Sequence, residues 1–152
     1  MSRDTWLVLH IFGVVIFLGN IIVTAVWKVL ADRTRDPAVV SYAQRLVTIT
    51  DIAFTATGAT LIAVSGGAMA DDFGGVTGEP WLTWGVVLFV ASGVIWVTVL
   101  IPIQVLQSRL TRTFDDEIPN GYWRLARLWY VFGALATALP LVNIYLMVAK
   151  PG

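Results

Sequence analysis

Four long apolar stretches dominate the sequence and decide what the chain can fold into. They cover about residues 5–28, 46–70, 81–106 and 125–149. An α-helix needs about 20 apolar residues to cross the hydrocarbon core of a bilayer. Because backbone polar groups in lipid must find partners within their own segment, helix is the state expected for each stretch. The sequence therefore predicts a single all-α integral membrane domain over residues 1–152, a four-transmembrane-helix bundle.

The composition excludes several other classes of protein. Of the residues, 57% are hydrophobic and 13% are charged, whereas an average soluble domain carries about 25% charged residues. The 10 basic and 10 acidic side chains balance, so the chain offers no field that attracts nucleic acid. The chain has no cysteine, which excludes disulfides, zinc–thiolate sites, Fe–S clusters and covalently attached c-type haem.

The distribution of basic residues predicts the orientation. Eight of the ten basic residues lie in the polar connections after the first and third stretches or at the edges of those connections: Lys28, Arg33, Arg35, Arg45, Arg109, Arg112, Arg124 and Arg127. By the positive-inside rule those connections are cytoplasmic and both termini are outside. The first stretch is longer than a signal-peptide core of about 7–15 residues, and no A-x-A site follows it, so we expect a retained span. The predicted location is the inner membrane of a bacterium, with the lipid bilayer as partner.

Polar residues within apolar spans are costly and are candidates for function. In the first span, steps of three or four residues place His10, Gly13, Phe17, Asn20 and Thr24 on one face, which we expect to point into the bundle. His10 is the only histidine. Its imidazole suits haem or metal binding, a proton relay, or a hydrogen bond between helices, and the sequence leaves these alternatives open.

Asp51 is the acid expected deepest in a span. Steps of four residues from Asp51 run through Thr55, Ala59, Ala63 and Gly67, and such small residues allow close helix packing. We therefore expect Asp51 to face another helix. A structural role, as an ion pair with Arg45 or Arg127 or as a hydrogen bond between helices, and a proton-relay role are the alternatives.

The last two spans add further polar groups. Pro140 and Asn143 lie at roughly the depth of His10, and Pro140 leaves a backbone carbonyl without its helical donor. Gln104 and Gln107, near the inner end of the third span, are expected to face lipid headgroups. Met69 and Met147 end their spans on the side of His10. Histidine with methionine suits Cu(I) or axial haem ligation, although methionine is also an ordinary packing residue.

The two ends of the chain resemble a known family. The opening LVLHIFGVVIFLGNIIVTAVWK and the closing PLVNIYLMVAKPG resemble the bacterial membrane proteins grouped as domain of unknown function 2269. More distantly, a histidine early in the first helix is similar to the CopD copper-resistance proteins and to the HemJ protoporphyrinogen oxidases. The HemJ resemblance implies a b-type haem on His10. This chain has no second histidine, and Lys28, at the inner end of the first span, is not a convincing match for HemJ's intramembrane basic residue.

These observations lead to three functional hypotheses. The first is a b-type haem or a transition metal such as copper bound through His10, with Asn20, Asn143 and Met147 around the cofactor, Met69 as a further metal ligand, and a redox role. The second is an accessory subunit, in a homodimer or against a partner membrane protein, that docks through the small-residue stripe at Ala63. The third is permeation of copper or another small solute.

Overall fold

The computed structural model describes residues 1–151 and contains four long helices. They are α1 (Arg3–Thr34), α2 (Pro37–Phe73), α3 (Pro80–Thr113) and α4 (Asn120–Ala149), and each is long and apolar enough to cross a membrane. Residues 1–151 contain no β-strand. The prediction of an all-α bundle of four transmembrane helices is therefore confirmed.

The first connection is much shorter than the polar segment suggested. The α1 helix continues to Thr34, and α2 begins at Pro37, so that Arg35 and Asp36 alone join them. Arg35 takes a left-handed conformation at φ 54°. The carboxylate of Asp36 then caps α2 by accepting from the backbone N–H groups of Ala38 and Val39, and Pro37 fits the first helical position because it has no N–H to satisfy.

The helices form two hairpins, in which α1 packs along α2 and α3 packs along α4. Both chain ends and the α2–α3 connection lie at one end of the bundle, which we call the terminal end. There Arg3 pairs with Asp72 at 3.2 Å, and the Lys150 ammonium lies 5.2 Å from the centre of the Trp81 ring. The α1–α2 and α3–α4 connections lie at the opposite end, which we call the hairpin end.

Two of the helices contain a widened, π-helical turn near mid-length. In α2 this turn is Asp51–Ala56, and in α3 it is Trp96–Leu100. In α3 the cause is local, because Pro102 follows and has no N–H to offer the carbonyl four residues before it. Such turns change which side chains face inward, and they occur frequently at functional sites.

Pro140 opens the hydrogen-bond ladder of α4, and a side chain from α3 compensates for it. A residue with an N–H at position 140 would donate to the carbonyl of Ala136. Instead, the buried hydroxyl of Ser92 donates to that carbonyl at 2.8 Å. The freed carbonyl therefore becomes a link between α3 and α4 inside the membrane, where an unsatisfied carbonyl is costly.

We expect Ser92→Ala to lower the free energy of unfolding by about 1–3 kcal/mol, because it leaves the Ala136 carbonyl without a donor. The measurement is unfolding in mixed detergent micelles. In a Pro140→Ala background the helix supplies its own N–H, so the same substitution should cost much less. An equal cost in both backgrounds would show that this hydrogen bond does not compensate for Pro140.

Candidate functional site

The carboxylate of Asp51 lies inside the bundle and links three helices. Asn20 on α1 donates to Oδ1 at 3.2 Å, and the Thr55 hydroxyl donates to the same oxygen at 3.0 Å. Gln104 on α3 donates to Oδ2 at 2.6 Å. Asn20 also donates to the Thr55 hydroxyl at 2.9 Å. These four residues form a cluster of polar side chains around one carboxylate, which we call the Asp51 cluster.

The expectation that Asp51 faces another helix agrees with this arrangement, but the suggested ion pair does not form. Arg45 and Arg127 are both exposed, and the ion pairs found within residues 1–151 do not include Asp51. Arg45 precedes Asp51 by about 9 Å along the helix axis, which places it nearer the hairpin end. Thr24 extends the cluster instead, since its hydroxyl donates to the side-chain oxygen Oδ1 of Asn20 at 3.3 Å.

A cavity of about 440 Å³ adjoins the Asp51 cluster. Its walls come from all four helices and are mainly apolar, with the side chains of Asp51 and Gln104 among the few polar ones. Ile22 on α1 and Leu141 on α4 also line it and are 46% and 47% exposed. The cavity therefore opens sideways between α1 and α4, towards the bilayer. Its volume falls within the range of about 300–1,000 Å³ that is typical of small-molecule sites.

Both π-helical turns border this cavity. Asp51 and Thr55 belong to the turn of α2, and Trp96 and Leu100 belong to the turn of α3. No local sequence signal marks the turn in α2, so the sequence did not predict the cavity. The widened turns bring a carboxylate and an indole ring to the walls of the same space.

A second polar cluster, nearer the hairpin end, surrounds Lys28. Its ammonium group is fully buried. It donates to the side-chain oxygen Oε1 of Gln44 at 2.9 Å, to the Tyr122 hydroxyl at 2.8 Å and to the Asp32 carboxylate at 3.5 Å. Tyr122 in turn donates to Asp32 at 2.9 Å, and Tyr130 also donates to that carboxylate. We call these five residues the Lys28 cluster.

The aromatic rings of α4 complete the surroundings of this lysine. The Lys28 ammonium lies 5.1 Å from the centre of the Tyr122 ring and 5.5 Å from that of Trp129, within cation–π distance. Trp129 and Tyr130 also line the cavity. The wall of the cavity therefore touches both polar clusters.

Sequence reasoning missed the Lys28 cluster. The sequence predicts Lys28 at the inner end of the first span, and Asp32 falls in the polar connection that follows it. Both are buried because α1 continues past them. The signal was present as Asn20, Thr24, Lys28 and Asp32, which follow one another at steps of four residues on one face of α1.

The expectation that Gln104 and Gln107 face lipid headgroups is wrong. Gln104 is 4% exposed and Gln107 is fully buried. The interior position of Gln104 follows from its hydrogen bond to Asp51. Gln107 lies one turn further along the same side of α3, and so it also points into the bundle.

His10 lies apart from both clusters, against α2. Its Nδ1 is 3.1 Å from the hydroxyl of Ser65, and that hydroxyl donates to the Leu61 carbonyl. The imidazole of His10 is therefore joined to α2 through the hydroxyl of Ser65.

Asn143 and Met147 make their recorded contacts at Gly85 and not at His10. Asn143 donates to the Gly85 carbonyl at 3.0 Å between α4 and α3, and Met147 packs against the same glycine. Met69, near the end of α2, is half-buried. Within residues 1–151 no group of three or more histidine, cysteine or acidic residues could hold a metal ion.

The small residues that follow Asp51 at steps of four do not all face another helix, contrary to the sequence-based expectation. Asp51 and Thr55 are buried, but Ala63 and Gly67 are exposed on the surface of the bundle. The widened turn at Asp51–Ala56 shifts the inward face of the helix. As a result Gly58 and Ser65 make the close contacts with α1 instead.

Comparison with known proteins identifies the family. No curated protein and no solved structure matches the chain. A family model described as "Predicted integral membrane protein (DUF2269)" matches residues 5–151. The match covers all four helices except the first two residues of α1, and it includes both polar clusters. The chain therefore belongs to the DUF2269 family of integral membrane proteins.

Proposed function

We propose that this protein binds a lipid-soluble small molecule in the cavity between α1 and α4. The observation that carries the proposal is a cavity of about 440 Å³ with apolar walls, a carboxylate on one side and an opening towards the bilayer. A ligand can enter such a site from the membrane without crossing water. The location proposed for this binding is the inner membrane of a bacterium, with the basic hairpin end in the cytoplasm.

The walls of the cavity indicate the chemistry of the ligand. Apolar and aromatic side chains such as Phe17, Phe89 and Trp96 favour a flat or ring-shaped apolar body. The carboxylate of Asp51 accepts hydrogen bonds, and it selects ligands that carry a hydroxyl group. Quinols and related phenolic membrane lipids combine these properties, and their redox chemistry agrees with the redox role predicted from the sequence.

We expect a short-chain quinol analogue to bind the protein in detergent and to quench the fluorescence of Trp96 and Trp129, which line the cavity. Gly133→Leu should weaken this binding about tenfold or more, which corresponds to at least about 1.4 kcal/mol. Gly133 lines the cavity, and a Cβ built on it meets no atom within 4 Å. The leucine therefore fills the cavity without distorting the helices.

Gly19→Leu is the matched control, because Gly19 has the same free space around its Cβ and lies outside the cavity lining. Its affinity for the analogue should equal that of the wild type. Asp51→Asn should weaken binding of the quinol more than that of the corresponding quinone, which has no hydroxyl to donate. Equal affinities of Gly133→Leu and Gly19→Leu would rule out this cavity as the site.

A second candidate function is favoured by the geometry at His10. We propose that its Nε2 ligates a b-type haem or a copper ion and that the Nδ1 bond to Ser65 holds the ring in place. Bound there, the cofactor would supply electron transfer. The residues of this chain would orient the imidazole and fix its tautomer.

The absorbance of protein purified from haem-replete cells tests this candidate, together with its copper content. We expect a Soret band or bound copper that His10→Ala abolishes. Ser65→Ala should reduce occupancy about 10–100-fold, as removal of a hydrogen bond to a ligating histidine does. Asn143→Ala, which lies at another contact, should leave occupancy unchanged. A colourless and metal-free preparation would contradict this function and would leave the cavity proposal standing.

A further inference from the structure

Several buried polar atoms near the hairpin end have no protein partner. Gln107 is fully buried, and neither its Nε2 nor its Oε1 meets a hydrogen-bond partner within residues 1–151. The same holds for Nε2 of Gln44 and for the indole nitrogens of Trp27 and Trp129. Each buried group left in this state costs about 1–3 kcal/mol. An amide with both ends unpaired therefore indicates a site for internal water, which typically bonds such groups.

The register of α2 and α3 places Gln107 at a depth between those of the two polar clusters. The helices run antiparallel, with Asp51 against Gln104 at 2.6 Å and Thr48 against Ser108 at 3.3 Å. Gln107 lies about 4.5 Å beyond Gln104 along the axis, towards the hairpin end. On α2, Gln44 lies about 10.5 Å from Asp51 in the same direction, and Gln44 bonds Lys28. The unpaired amide of Gln107 is thus at a depth between Asp51 and Lys28.

The groups at the two ends of this interval are suited to exchanging a proton. Asp51 faces the cavity and three donors, from Asn20, Thr55 and Gln104. At the other end Lys28 faces Asp32, Gln44, Tyr122 and Trp129, and Tyr130 joins Asp32 to the cavity wall. Towards the terminal end the face of α1 continues with Gly13 and Phe17, which offer no side-chain hydrogen bond. The polar side chains therefore extend from the cavity towards the hairpin end and not towards the terminal end.

We propose that Gln107 holds internal water that connects Asp51 with the Lys28 cluster, and that a proton passes along this line between the cavity and the hairpin end. The Asp51 carboxylate first takes up a proton from a hydroxyl ligand in the cavity, which is left deprotonated. Asp51 then releases this proton to the water at Gln107, and that water passes a proton to the Asp32 carboxylate, with no change in oxidation state. The inference builds on the proposed function, because Asp51 is the group through which a quinol in the cavity would release a proton.

Radiolytic hydroxyl-radical labelling tests the water, since radicals formed from internal water modify the side chains beside it. We expect Trp129, which is buried, to be labelled in the wild type and its labelling to fall about tenfold in Gln107→Met, a change that keeps the side-chain length but removes the amide. Trp84, which is exposed, serves as the internal control and should be labelled equally in both proteins. Unchanged labelling of Trp129 would overturn the proposal.

Infrared spectroscopy after a pH jump tests the proton step without any ligand. The carboxyl band that Asp51→Asn removes should respond to the external pH, and Gln107→Met should slow this response about tenfold or more. Gln107→Asn keeps an amide and should stay close to the wild-type rate.

Both variants should unfold at a temperature near that of the wild type, because no protein hydrogen bond is lost. An Asp51 response as fast in Gln107→Met as in the wild type would contradict the path. If the wild-type protein did not bind the quinol analogue but Gln107→Met still slowed the Asp51 response, only the proposed ligand would be contradicted.

Discussion

Replacing Lys28 by methionine is expected to lower the free energy of unfolding by about 3–5 kcal/mol. The substitution keeps much of the side-chain volume but removes the ammonium group that faces Asp32 in a fully buried cluster. The carboxylate then stays inside the bundle without a cation, and the hydroxyl of Tyr122 loses a donor. Unfolding of the purified protein in mixed detergent micelles measures the change.

A second substitution separates the cost of an unpaired charge from the loss of packing. In Lys28→Met/Asp32→Asn no charge remains in the cluster, and the new amide at position 32 still accepts through its carbonyl oxygen, so most of the lost stability should return. Arg33→Met is the matched control, because Arg33 is an exposed neighbour, and it should change stability by no more than about 0.5 kcal/mol. If Lys28→Met proved as stable as Arg33→Met, the ion pair would contribute nothing to the fold.

Gly58→Ala is expected to separate α1 from α2 and to cost about 1–3 kcal/mol or more. A Cβ on Gly58 would lie 2.8 Å from the backbone nitrogen of Phe17 and 2.9 Å from the carbonyl oxygen of Gly13. These are backbone atoms of a helix and cannot move aside singly. The whole helix must shift, and this shift strains the hydrogen bonds of Asn20 to Asp51 and Thr55.

Gly67→Ala provides the comparison on the same helix. A Cβ on Gly67 meets no atom within 4 Å, and alanine favours helix over glycine by about 1 kcal/mol, so this variant should be as stable as the wild type or more so. Thermal unfolding of both variants in one detergent gives the difference. If Gly58→Ala matched Gly67→Ala, the close contact between α1 and α2 would carry no energy.

The sequence alone determined the membrane class and the number of helices. Apolar stretches long enough to cross a bilayer are a local property, and the bilayer leaves a chain of this kind no alternative to helix. The inward face of α1 was also predictable, because a helix repeats its facing every three to four residues. That pattern predicted that Asn20 and Thr24 point into the bundle, and the steps of α2 predicted that Asp51 faces another helix; Thr24 and Asp51 are buried in the structure.

The partners of those side chains came only from the tertiary structure. Nothing near Asp51 in the sequence indicates Gln104, and nothing near Lys28 indicates Tyr122, because each pair lies on different helices and meets through packing. Lys28 was assigned to the end of a span because a lone charge is expensive in lipid. The bundle removes that cost by surrounding the ammonium with a carboxylate and hydrogen-bond acceptors. The sequence determined which segments enter the membrane, and packing between helices decided which polar groups could follow them.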